Sequence, residues 1–403
     1  MEWKRPINDI KLINQSEKKL LLIYNSLIRN RNKLRDLSLY SGRMGICLFF
    51  CYYELYRNKK GIAKRMLYEI NDTLLKKTND FNYILWFSEF GWLLQHLRSI
   101  KFVDFEIDEI IAELDEVLTQ SMIYFLNQDK YELIYGATNI ANYFLHRNSY
   151  SKQHFFDLYI ETLHKKAIII NKNKIAWESY VDIATIRKNN EKHINLGLAH
   201  GIPALILFFC KLKEHNYNHK YLNDCIIKSC NFLLSVENNH TNRISHFSSV
   251  TKIDNISLET SRIGWCYGDL SVGFALLKAS KYYPEIKIKC LEILYDTIKR
   301  EDTAYDFDDC FCHGTFGNAH IYNRIFSLTN DENYKKAAMY WYEKGINRKC
   351  RNNCVAGIGF YNGKKNSYVS NLCLLDGIAG IGLSIISAIS DITPLWDECF
   401  LLS

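Results

Sequence analysis

Apolar residues along this chain fall into two patterns, one continuous and one periodic. The continuous runs follow a short polar or glycine turn with a small residue about three positions on, and this arrangement recurs seven times. Its copies are SGRMGICLFF from Ser41, FSEFGWLLQHL from Phe87, YGATNIANYFL from Tyr135, HGIPALILFF from His200, CYGDLSVGFALL from Cys266, CHGTFGNAHIYNRIF from Cys312 and LDGIAGIGLSIISAI from Leu375. The second copy has Ser88 where the others have their first glycine, and the third has Asn139 at the small position. Between them lie more charged segments, as expected of helices with one face in water.

With Gly42, Ser88, Gly136, Gly201, Gly268, Gly314 and Gly377 as anchors, successive copies stand 46, 48, 65, 67, 46 and 63 residues apart. Each interval accommodates two helices, and helix pairs repeated at this length imply a solenoid or closed toroid whose units bury their apolar faces against neighbours. The expected fold is all-α: seven helix-pair repeats in a solenoid or closed toroid, the apolar helices forming an inner ring and the more charged ones an outer. One domain over residues 1–403 is expected, with insertions around 100–130 and 165–195; Lys172 to Asn195 has little helical periodicity. Inner helices running the same way would gather their N-termini at one mouth, where helix dipoles favour an anion such as a thiolate.

Composition narrows the class. Four prolines in 403 residues favour long helices. The start, Met1 to Lys33, lacks the layout of a signal peptide, and Gly377 to Ser390 is too short to span a membrane. A net charge of +7, spread along the chain, gives no basic stripe for nucleic acid. The thirteen cysteines are scattered through apolar runs, as expected of reduced, buried thiols in a cytoplasmic protein.

Two cysteines and a histidine break that pattern, because they sit just before repeat glycines: Cys266 in WCYGD, and Cys312 with His313 in FCHG. Two thiolates and one imidazole suit zinc with an open fourth position. The same residues are also compatible with two buried free thiols and a satisfied histidine, and Cys310, Cys350 and Cys354 offer a rival structural zinc set.

The chain resembles the lanthionine synthetase C-like cyclases, which close thioether rings in lantibiotic peptides. The likeness spans nearly the whole chain and rests on LAHGIPA (Leu198 to Ala204), R-x-x-WCYGD (Arg262 to Asp269), CHG (Cys312 to Gly314) and LLDGIAGIGL (Leu374 to Leu383). It implies an α/α toroid with one zinc ion held by Cys266, Cys312 and His313, His200 as the catalytic histidine, and Arg262 and Tyr267 as active-site neighbours. Glu132 stands where the family usually has an aspartate, four residues before the third anchor. The implied reaction adds substrate Cys thiolates to dehydroalanine or dehydrobutyrine in a precursor peptide bearing a leader. The implied partners are a dehydratase and an exporter, through which a cytoplasmic enzyme is held at the membrane. Two other readings stay open: a zinc-bearing, thiol-binding scaffold, and a thiol-alkylating enzyme of the protein prenyltransferase type.

Overall fold

A computed structural model describes residues 3–76, 83–104, 108–147, 151–179, 192–300 and 308–403. They divide into two compact units, one formed by Met1–Asp104 with Arg300–Ser403 and the other by Phe105–Lys299. In chain order the described helices are α1 (Ile10–Asn30), α2 (Arg43–Arg57), α3 (Ala63–Leu75), α4 (Tyr83–Ser99), α5 (Asp108–Asn127), α6 (Ala137–Leu145) and α7 (Ser151–Lys166). They continue with α8 (Ile202–Glu214), α9 (Leu222–Ser235), α10 (Asp269–Ala279), α11 (Lys287–Ile298), α12 (Thr315–Thr329), α13 (Glu332–Asn347) and α14 (Ile378–Ile389).

The two sequence patterns become two kinds of helix. Every residue of α6 and α14 is buried, as is nearly all of α8 and α10. In contrast, α1 buries only the stripe Leu12, Ser16, Leu20, Ile23 and Leu27, and α3 only Ala63, Met66, Leu67, Ile70 and Leu74. A stripe repeating every three or four residues is one helical face, so these helices keep the other face in water. Buried and half-buried helices pack in pairs: α2 on α3 and α12 on α13 in the first unit, α8 on α9 and α10 on α11 in the second.

Six of the seven anchors cap a helix: Gly42, Gly136, Gly201, Gly268, Gly314 and Gly377 are the N-caps of α2, α6, α8, α10, α12 and α14. None of the six caps uses a side chain. Instead the preceding loop folds back over the helix start. The N–H groups of Arg43, Ala137, Thr315 and Ile378 donate to the carbonyls of Asp36, Lys130, Asp308 and Asn371, each seven residues earlier, at 2.9–3.2 Å. This satisfies a helix N–H that has no partner inside the helix. The same loop brings a carbonyl, six residues upstream, to where a Cβ on the cap would stand: 2.6 Å at Gly42, Gly136 and Gly314, 2.1 Å at Gly201 and 1.7 Å at Gly268. The anchor is glycine because the loop occupies the space of a side chain. Ser88 departs from the expectation of a helix start and lies inside α4, its hydroxyl donating to the Leu85 carbonyl at 2.9 Å.

Short strands occupy part of the polar excursion. β1 (Ile168–Asn171) and β2 (Lys174–Ala176) form an antiparallel hairpin; β3 (Glu178–Ser179), β4 (His193–Asn195) and β5 (Val250–Thr251) form a three-stranded antiparallel sheet with Ile194 opposite Glu178 and Thr251. The remainder of the excursion, 180–191, lies outside the described residues. Around 100–130 the chain forms α5, and in the first unit β6 (Phe360–Asn362) pairs with β7 (Ser367–Val369).

Candidate functional site

In the second unit, the loops that cap α6, α8 and α10 carry Glu132, His200, and Cys266 with Tyr267. Glu132 is buried to 5% exposure. Its carboxylate accepts from the backbone N–H of Ile134 at 3.3 Å and of Tyr135 at 3.1 Å, and it pairs with His200 Nδ1. Burial pulls the imidazole pKa down, but the Glu132 charge and hydrogen bond, with a contribution from Cys266, outweigh it and hold His200 above its ordinary value. With Nδ1 bound to the carboxylate, Nε2 is the nitrogen left to serve as proton donor or acceptor.

The Cys266 segment is tied to the same loop. The N–H of Ala199 donates to the Cys266 carbonyl at 3.2 Å, and a Cβ on Gly197 would stand 2.4 Å from that carbonyl oxygen. Tyr267 lies beside His200 with ring centroids 6.3 Å apart, and its hydroxyl accepts from Asn195 Nδ2 at 3.1 Å. Asn195 is 2% exposed, and its Oδ1 accepts from the Gly197 N–H at 2.9 Å. It therefore fixes both the loop and the tyrosine, yet its sequence neighbourhood carries no motif; the signal was its place six residues before Gly201.

Arg262 is half-buried, and its carbonyl faces Gly268, whose φ of +101° belongs to the region that favours glycine. Asp269, next in the motif, is structural: its buried carboxylate accepts from the N–H groups of His246 at 3.0 Å and Phe247 at 2.9 Å.

In the first unit, Cys312 and His313 lie in the loop that caps α12. The Cys312 N–H donates to the Leu375 carbonyl at 3.0 Å, whose own N–H donates to the Tyr40 carbonyl at 2.9 Å. His313 Nε2 stands 3.5 Å from Asp308 Oδ2, and its Nδ1 stands 4.0 Å from Asp376 Oδ1. Cys310, His313 and Asp376 place one ligand atom each within 4.8 Å of one another. Among the described residues Cys310, Cys350 and Cys354 do not assemble as a three-ligand set.

All thirteen cysteines are free thiols, eleven of them buried. Cys266 and Cys312 each retain 7% exposure, whereas Cys47, Cys51, Cys210, Cys225, Cys230, Cys290 and Cys399 retain none. Burial pushes the Cys210, Cys225 and Cys290 thiols up to about 12, so these are inert core residues.

Glycine-capped buried helices packed in pairs define a mostly helical protein, and in its second unit a carboxylate–imidazole pair lies beside a cysteine loop. Compared with solved structures, the chain is similar to nisin cyclase, with a TM-score of 0.65, 18% sequence identity, and coverage of 96% of this chain and 98% of that one. Residues 33–401 match the family described as lanthionine synthetase C-like protein, and the chain belongs to that family. A comparison with curated protein sequences found no match. Among the described residues no helix is long and apolar enough to cross a membrane.

Proposed function

We propose that the protein is a zinc-dependent cyclase that forms lanthionine and methyllanthionine rings in a precursor peptide carrying dehydroalanine or dehydrobutyrine. Membership of the family supports this reading. The observation that carries it is the hydrogen bond between His200 and Glu132 on a loop joined to the Cys266 backbone, an imidazole–carboxylate pairing suited to proton transfer next to a candidate metal-binding segment.

Cys266, Cys312 and His313 are the residues that would hold one zinc ion. Two thiols and an imidazole are the donors zinc prefers, and the residual exposure of both cysteines distinguishes them from the sealed core thiols. Bound there, zinc would keep a substrate sulfur as thiolate at neutral pH, where a free cysteine is mostly protonated.

The remaining work falls to the chain's own side chains. Ring closure forms a C–S bond at the β-carbon, consumes the C=C π bond and puts charge on the neighbouring amide oxygen; the thiol proton departs and the α-carbon gains one. His200 transfers that proton through Nε2, with Glu132 holding Nδ1 and stabilising the imidazolium. Arg262 is assigned to the developing oxyanion, and Tyr267 to the wall beside His200. The substrate arrives from a dehydratase with its leader attached, in the cytoplasm, and leaves through an exporter.

The test is to incubate the protein with a dehydrated precursor peptide and count remaining thiols by alkylation and mass. Fewer alkylated thiols at unchanged peptide mass supports ring closure. An undiminished count leaves a zinc-binding scaffold, and thiol loss only with a prenyl diphosphate points to the prenyltransferase type.

A further inference from the structure

Tyr135 stands three residues after Glu132, in the turn that leads into α6. At 59% exposure it contributes little to the core. Its ring nevertheless lies against His200, with centroids 6.1 Å apart and planes inclined by 17°. Its backbone N–H donates to Glu132 Oε1 at 3.1 Å, so the carboxylate that binds the imidazole also fixes the residue carrying this ring.

A hydrogen bond at one ring nitrogen leaves an imidazole free to tip about the bond axis. A near-parallel aromatic ring beside it opposes that motion. Tyr267 flanks the same imidazole at 6.3 Å but is inclined by 41°, so Tyr135 is the partner that sets the plane. Proton transfer to a carbon is sensitive to such placement, because the trigonal α-carbon accepts a proton only along the axis perpendicular to its plane.

We infer that Tyr135 is a positioning residue for the ring-closing reaction, holding the His200 plane so that Nε2 meets the α-carbon of the adduct. The inference rests on the cyclase reading. The aromatic ring carries the role and the hydroxyl does not.

Kinetics with a dehydrated peptide on Tyr135→Ala and Tyr135→Phe test it. Tyr135→Ala is expected to lower kcat about tenfold with KM within about twofold, and Tyr135→Phe to stay within about twofold of the parent in both. A raised KM at unchanged kcat would overturn the role, making Tyr135 a peptide contact; so would a phenylalanine variant as slow as the alanine one. NMR provides a readout independent of turnover: the His200 ring-proton shifts should move in Tyr135→Ala and persist in Tyr135→Phe. Unmoved shifts in Tyr135→Ala overturn the stacking alone, whereas a parent protein that closes no rings overturns the cyclase reading.

Discussion

His200 and Glu132, 68 residues apart in the chain, meet through a hydrogen bond between imidazole Nδ1 and carboxylate Oε2. Glu132 is held in turn by two backbone N–H groups of its own turn, so its carboxylate is a fixed point to which the imidazole is tied. The longer side chain, where the family usually has aspartate, is long enough to make all these contacts. Replacing Glu132 with Gln keeps the shape and removes the charge. Ring closure should slow roughly 10- to 100-fold while zinc content stays unchanged. A parent-like rate at saturating peptide would show that the carboxylate is not needed for proton transfer.

Metal content separates the proposed ligands from the core thiols. Cys266→Ala and Cys312→Ala should each lower zinc below one per chain and abolish ring closure, because two protein ligands hold the ion far less well than three. Cys210→Ala, in the sealed interior of α8, should leave zinc unchanged. Full zinc occupancy in the first two variants, by elemental analysis, would remove them from the ligand set.

The cap glycines can be tested by stability. At Gly268 a Cβ would meet the Arg262 carbonyl oxygen at 1.7 Å and the backbone has φ +101°, whereas at Gly363 the nearest atom would stand at 3.9 Å. Gly268→Ala should cost about 3 kcal/mol or more and Gly363→Ala less than about 1 kcal/mol, read from urea unfolding. Equal losses would contradict the close approach.

A buried network in the first unit predicts a pH dependence. His320 is fully buried on α12; its Nε2 bonds Asp397 Oδ2 at 2.6 Å, and Arg324 binds the same carboxylate at 2.6 and 2.8 Å. Burial lowers the His320 pKa, outweighing the pull of Asp397. The unfolded chain therefore binds this proton more readily, so the contribution of neutral His320 is present above about pH 6.5 and is lost as pH falls through and below that value. The urea midpoint should drop between about pH 7 and pH 5, and His320→Gln should flatten that slope. An identical slope in the variant would assign the effect to other groups.

Thiol accessibility gives a further check. Cys350 is exposed and Cys354 partly so, while the other eleven cysteines are buried. Brief maleimide treatment of the folded protein, followed by peptide mapping, should label Cys350 first and Cys354 next. Early labelling of Cys225 or Cys290 would contradict the packing of α9 and α11.

The sequence by itself determined what depends on neighbours along the chain. Buried and half-buried helices follow from local apolar pattern, and six helix starts from glycines whose upstream loop folds back within seven residues. Ser88 is the instructive failure: the apolar run survived but the loop did not, so the helix continues through the anchor. Only the tertiary structure decided the contacts made across the chain. Glu132 with Tyr135, Asn195 with His200, and Tyr267 come from three capping loops, and nothing in the spacing of those loops states that one carboxylate serves one imidazole or that one tyrosine faces it. A hydrogen bond or ring contact needs ångström placement of residues dozens of positions apart. Helix periodicity fixes which way a helix faces, whereas the packing of one helix pair on the next fixes where its capping loop ends.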